Sequence, residues 1–132
     1  MTLDGTIVEY PLPTPDAFPN GIVVGPDDAL WFTQLRADKV GRLTPDGHLT
    51  EYPALGSGPV GIAVGPDGAF WLAGNTGNEI LRMTVEGEIT HRFPVPTPNA
   101  SVLRVDVGPD GNIWFTEDSG NKIGRLDLRA VR

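Results

Sequence analysis

The chain is 132 residues long with 17 glycines, 13 prolines and no cysteine, and its formal net charge is −7. That length is one domain's worth and can bury a core. The acidic balance disfavours a surface that tracks nucleic-acid phosphates, and the missing thiols exclude disulfides, thiolate nucleophiles and thiolate metal sites. The start, Met1 to Gly5, has no apolar signal core, and no apolar run approaches the ~20 residues that span a bilayer. The expectation is a soluble, cytoplasmic protein with neither nucleic acid nor membrane as a partner.

In chain order, Gly5-Thr6-Ile7-Val8-Glu9-Tyr10-Pro11 reads as a short strand, type D over 3–11, ended by a Pro-rich stretch to Pro19. Gly21-Ile22-Val23-Val24 is an apolar strand A, and Gly25-Pro26-Asp27-Asp28 a tight turn, because Pro presets φ and Asp tolerates the corners. Leu30 to Thr33 is strand B, Lys39 to Leu43 strand C, and Leu49 to Pro53 a second strand D. The order A, turn, B, C, D then recurs over 60–94, with Gly65-Pro66-Asp67-Gly68 as the turn. One extra residue between Gly87 and Pro94, relative to Gly47 to Pro53, predicts a bulge near His91. A third copy over 103–127 has Gly108-Pro109-Asp110-Gly111 and strands A, B and C but no D of its own.

Trp31, Trp71 and Trp114 are spaced by 40 and 43 residues, the period of a four-stranded propeller blade. The expected fold is therefore all-β, a propeller of antiparallel blades with three blades per chain. The D strand at 3–11 would complete the last blade. Three blades are too few to close a ring, since propellers carry about four to eight. Closure is expected between chains in a cyclic homo-oligomer, with a dimer of six blades preferred over a trimer of nine. The alternative left open is a piece of a longer gene.

In a propeller the D-to-A and B-to-C loops share the face around the channel mouth. That places Asn20, Gln34, Arg36, Asn75 and Arg104 as candidate ligand-binding residues for a small or peptidic ligand, with Asp16, Asp38 and Asn78 beside them. Glu117 and Asp118 form the sharpest pair, carboxylates suited to a hard cation such as Mg²⁺. Arg42, Arg82 and Arg125 each follow a Trp by eleven residues, which predicts a structural role between blades. Asp106 interrupts an apolar strand A; it either faces the channel or caps a turn. No phosphate-binding loop, dinucleotide fingerprint, nucleophile elbow or zinc-protease pattern occurs.

The stretches Gly61-Ile62-Ala63-Val64-Gly65-Pro66-Asp67-Gly68, Trp114-Phe115-Thr116-Glu117, Asn121-Lys122-Ile123-Gly124-Arg125-Leu126 and Thr50-Glu51-Tyr52-Pro53 resemble the virginiamycin B lyase (streptogramin B lyase) family across essentially the whole chain. The resemblance implies a propeller that has seven blades in full-length members and opens streptogramin B antibiotics by Mg²⁺-dependent elimination. It also implies catalytic histidines just before the Gly-Ile of an A strand, where this chain has Asn20, Val60 and Leu103. The only histidines, His48 and His91, fall in or beside D strands at the periphery. Elimination here would need another base, for which Glu117 is the candidate. The expected function is a self-assembling, non-catalytic propeller scaffold that binds a ligand at the channel mouth; the alternative is a Mg²⁺-dependent lyase.

Overall fold

The computed structural model describes residues 4–128, which form eleven strands and no α-helix. The first sheet orders β1 (Pro19–Val24), β2 (Leu30–Gln34), β3 (Lys39–Leu43) and β4 (Leu49–Pro53). The second repeats this with β5 (Pro59–Val64), β6 (Phe70–Gly74), β7 (Glu79–Met83) and β8 (Ile89–Pro94). The third has β9 (Val102–Val107), β10 (Ile113–Glu117) and β11 (Lys122–Leu126). All pairings are antiparallel between chain neighbours. Each sheet is one blade of a β-propeller.

The repeated turn supplies more than a reversal. In the second blade Gly68 N–H donates to the Gly65 carbonyl at 3.0 Å, and Gly68 takes a φ of 81°. The same left-handed corner is Gly111 in the third blade and Asp28 in the first, at φ 62°. The turn aspartate then reaches back over its blade. Asp27 accepts from Trp31 Nε1 at 3.0 Å and from Arg42 Nε at 2.8 Å. Asp67 does so from Trp71 and Arg82 at 3.4 and 2.8 Å, and Asp110 from Trp114 and Arg125 at 2.9 and 3.4 Å. The arginines eleven residues after each Trp therefore tie the turn to strand C within one blade, which corrects the expected role between blades. The reason is register: Trp31 is paired with Arg42, Trp71 with Arg82 and Trp114 with Arg125, so guanidinium, indole and turn carboxylate share one face.

Blades pack in chain order through two apolar seams. Trp31, Val40 and Val23 of the first blade meet Ile62, Phe70, Leu72, Leu81 and Met83 of the second. Trp71, Ile80 and Ala63 of the second meet Val105, Ile113 and Phe115 of the third. At the inner edge the A strands nearly touch. A Cβ at Gly21 would stand 2.7 Å from the Val60 carbonyl oxygen, and one at Gly61 would stand 2.5 Å from that of Leu103, so only glycine fits at either seam. Thr33 Oγ1 bridges the first seam, accepting from Gly21 N–H at 2.9 Å and donating to the Val60 carbonyl at 2.6 Å.

The predicted bulge is present: the β7–β8 register slips between His91 and Ile89, leaving Thr90 as the extra residue. The expected D strand at 3–11 is not formed within one chain. Residues 4–12 carry no strand, and the third sheet has three strands; residue 3 and residues 129–132 lie outside the described residues. The reason is topological: the first and third blades flank the second, which separates the segment from β11. It lies against the first blade instead, where Tyr10 faces Gly47 as Tyr52 of the first blade faces Gly87 of the second.

Candidate functional site

The mouth of the blade array is built by the loops before each A strand and after each B strand, and backbone hydrogen bonds lock them together. Leu35 and Arg36 N–H donate to the Phe18 and Ala17 carbonyls at 3.1 and 3.0 Å. Asn75 and Gly77 do the same to Gly58 and Ser57, and Asp118 and Ser119 to Ser101 and Ala100. Polar side chains reinforce this scaffold. Asp38, at φ 56°, accepts from the Gly56 and Gly58 N–H groups at 2.6 and 2.8 Å. Asn78, at φ 57°, donates to the Val95 and Thr97 carbonyls and accepts from Ala100 N–H at 2.9 Å. Both residues grip the neighbouring loop and so shape the mouth.

The candidate ligand-binding residues divide by placement. Arg36 is exposed, with its guanidinium 5.2 Å from the ring centre of Phe18, itself 47 % exposed. Arg36 and Asn75 line one cavity of about 450 Å³, with Asp38, Gly58 and Thr76. The Asn75 amide donates to the Val102 carbonyl at 3.2 Å and to Ser101 Oγ at 3.4 Å, bridging the second and third blades. Arg104 donates to Asn20 Oδ1 at 3.0 Å, joining the third blade to the first across the mouth. Gln34 does not reach the mouth. It is fully buried, and its amide donates to Glu51 at 2.8 Å, because the last position of strand B points across the sheet toward strand D.

Glu117 and Asp118 border a second cavity of about 390 Å³ together with Arg104 and Lys122. Glu117 is 6 % exposed and its Oε1 has no hydrogen-bond partner, whereas Asp118 is exposed. Among the described residues no group of three or more His, Cys, Asp or Glu is placed to hold a metal ion. Two basic side chains beside two carboxylates also balance the cavity's charge, so these residues do not fit a Mg²⁺ site. His48 lies in the turn before β4 and His91 in β8, both exposed on the outer edge of their blades. Asp106 is exposed in β9, and its carboxylate accepts from the Val107 N–H at 2.8 Å. Phe18 is the mouth residue that the sequence did not single out, although it sits in a stretch, Pro11 to Pro19, that repeats as Pro94 to Val102.

The turn aspartates carry the clearest electrostatic perturbation. Burial works to raise the Asp27 and Asp67 carboxyls, but hydrogen bonds from Arg42 and Arg82, from the indoles and from the turn backbone outweigh it and hold both below the ordinary aspartate value. Asp110 is lowered further, chiefly by Trp114 and then Asn112.

Antiparallel blades packed in chain order through apolar seams, with cavities bordered by the loops at the mouth, are blades of a β-propeller. The chain belongs to the virginiamycin B lyase family, whose model matches residues 1–131. It is 40 % identical over 47 residues to virginiamycin B lyase of Bordetella pertussis, covering 36 % of this chain and 16 % of that protein. It is 44 % identical over 46 residues to that of Saccharopolyspora erythraea, covering 35 % and 15 %. Among solved structures, selenomethionine-substituted virginiamycin B lyase from Staphylococcus aureus superposes with a TM-score of 0.89 at 42 % identity over 97 % of this chain and 44 % of that one. A catalytically inactive form of the Staphylococcus aureus lyase with quinupristin gives 0.89 at 46 % identity over 96 % and 44 %. The chain thus spans less than half the length of these solved relatives.

Proposed function

We propose that this chain is a self-assembling propeller scaffold of the virginiamycin B lyase type, which binds a small or peptidic ligand at its mouth and does not carry out the elimination. The observation that carries this reading is the placement of the proton-transfer groups. The A-strand positions where the family resemblance calls for histidine hold Asn20, Val60 and Leu103, and both histidines lie on the outer edge. A general base must come within hydrogen-bond reach of the proton it removes, and an outer-strand imidazole lies at the opposite end of the blade from the A strands. What the mouth offers is recognition chemistry: the Arg36 guanidinium over Phe18, the Asn75 amide and the Arg104–Asn20 pair. A cyclic depsipeptide presents carbonyl acceptors and aromatic rings that suit such groups.

Lyase activity is the second reading, and it rests on the identity to solved streptogramin B lyases. Elimination removes a proton beside the ester, breaks the carbon–oxygen bond and leaves a carbon–carbon double bond and a carboxylate, so the antibiotic opens without changing mass. Incubation with quinupristin, with and without Mg²⁺, followed by chromatography and fragmentation mass spectrometry, separates the two. The expected result is saturable binding and intact ring. A chelator-sensitive linear product of the same mass would overturn the scaffold reading and establish the lyase.

A further inference from the structure

We propose that the cavity above the first blade seam takes the C-terminal carboxylate and last apolar side chain of a short peptide, with Arg36 and Thr76 at the carboxylate and Leu35 and Leu55 around the side chain. The inference rests on the ligand-binding part of the function proposed above and names the group that is bound.

The loops that lead into the three A strands are not alike. Pro11 and Gly21, and Pro94 and Arg104, stand ten positions apart, whereas their counterparts in the middle loop, Pro53 and Gly61, stand eight apart. The first and third loops share a Pro-x-Pro-Thr-Pro run, at 11–15 and 94–98, that the middle loop does not have. The shorter loop turns sharply, with φ of 54° at Leu55, 85° at Gly56 and 55° at Gly58. Both neighbouring blades hold it there. Asp38 of the first blade accepts from the Gly56 and Gly58 N–H groups, and Arg92 Nη1 of the second donates to the Leu55 carbonyl at 2.9 Å. Arg92 is itself anchored, since its Nε and Nη2 donate to Glu79 at 2.9 and 2.6 Å. Leucine rarely adopts a left-handed backbone, and strain of this kind collects where a loop binds something. Here it sets out an apolar side chain that is 57 % exposed.

Gly56 and Gly58 of this loop line the cavity of about 450 Å³ between the B-to-C loops of the first and second blades. Ligand sites run from roughly 300 to 1,000 Å³, so this one is sized for a terminal residue or two of a peptide rather than for a large ring. Most of its polar groups are already committed. The Asp38 oxygens are taken by the loop N–H groups, and its charge is offset by Arg92, whose proton Glu79 and then Asp38 help to hold. The Asn75 amide turns toward the third blade and donates to the Val102 carbonyl at 3.2 Å.

Arg36 and Thr76 are left to meet a ligand. Thr76 packs so closely on Gly58 that a Cβ there would collide with it, which holds the hydroxyl-bearing side chain against the loop. The Arg36 guanidinium rests over the Phe18 ring at 5.2 Å, a contact that uses none of its N–H donors in a hydrogen bond. A carboxylate is the acceptor that this fork of donors matches best. The second seam has Thr76 and Ser119 where the first has Arg36 and Thr76, so of these positions only the first seam carries a cation. The chain's net charge of −7 repels anions at long range, so a bare anion gains little, and the Leu35 and Leu55 walls favour a carboxylate that arrives with an apolar group. A peptide terminus also brings a backbone amide, for which the Thr76 hydroxyl is both donor and acceptor.

N-acetyl-alanyl-phenylalanine, its C-terminal amide and 3-phenylpropionate, each titrated into the whole chain by isothermal calorimetry, test the assignment. The peptide acid should bind about fivefold tighter than the amide. It should also bind tighter than 3-phenylpropionate, which has the ring and the carboxylate without the peptide. Arg36→Gln should erase the preference for acid over amide and leave the urea midpoint unchanged, since the side chain is exposed. Leu55→Asn, which keeps a residue tolerant of the left-handed corner, should weaken acid and amide alike. Acid and amide that bind equally or not at all, or a preference that survives Arg36→Gln, overturn the carboxylate assignment. Binding of 3-phenylpropionate as tightly as the peptide acid overturns the peptide. In either case saturable binding of quinupristin leaves the mouth as a ligand site, whereas a chain that binds neither quinupristin nor the peptides overturns both readings.

Discussion

Replacing Asp67→Ala should cost more than replacing Asp110→Ala, although each accepts from the Trp, the Arg and a turn N–H of its own blade, and Asp110 accepts from the Asn112 amide besides. Asp67 accepts from Trp71 Nε1 at 3.4 Å, from Ala69 N–H at 3.2 Å and from Arg82 Nε at 2.8 Å, and Trp71 is fully buried. Truncation leaves a buried indole N–H without an acceptor, worth about 1–3 kcal/mol. The Arg82 pair is partly solvated, with side chains 22 % and 38 % exposed, so its share is held to about 0.5–1 kcal/mol. Together these predict a loss of about 1.5–4 kcal/mol, or a Tm lower by roughly 5–14 °C for a chain of this size. Trp114 is half-exposed and Arg125 exposed, so water replaces Asp110 as their partner, and the loss there, left mainly to the buried Asn112 amide, should be smaller. Urea titration followed by tryptophan fluorescence and far-UV circular dichroism, at dilute protein, measures both. Equal losses at the two positions would refute the argument that burial of the indole sets the cost.

Three further outcomes are expected. Asp28→Gly should stabilise the chain by about 0.5–1 kcal/mol, because Asp28 holds a left-handed φ of 62° where the other two blades use glycine; a lower urea midpoint would contradict this. Gly41→Ala should destabilise by about 1–3 kcal/mol, since its Cβ would enter the Phe32 ring, and trimming the ring in Gly41→Ala/Phe32→Leu should recover part of the loss. Because the folded Asp27, Asp67 and Asp110 carboxyls lie below the ordinary aspartate value, their contribution is complete above that value and is lost as pH falls through about 4 and below. Urea midpoints should therefore hold from about pH 8 to 5 and then drop, and the drop should flatten when all three are changed to Asn.

The blade architecture was legible because its signals are local and recur. Pro-Asp-Gly corners, alternating β-branched residues and the Trp spacing mark the strands directly, and the added residue before Pro94 gives the bulge at Thr90. What stayed hidden depends on which face a side chain takes. The eleven-residue spacing of Trp and Arg was visible, yet its meaning lies in the pairing of Trp31 with Arg42 and in an aspartate read only as a turn former. Gln34 looked like a loop residue at the mouth, but the parity of strand B turns it inward to Glu51. The contact between Arg104 and Asn20 spans 84 positions, and nothing short of the blades' arrangement brings them together. The outer segment was recognisable by its likeness to β4, whereas the blade it lies against could be known only from the fold.

The three indoles share one chemical setting, each donating to the aspartate of its own turn, and differ in how far solvent reaches them. Trp31 and Trp71 are closed off, while Trp114 lies open beneath the Arg125 guanidinium at 5.6 Å. The chain therefore carries an internal spectroscopic reference. Its emission divides into a blue, quencher-resistant part from two blades and a red, quencher-accessible part from the third, and the red part alone answers to whatever covers that last face.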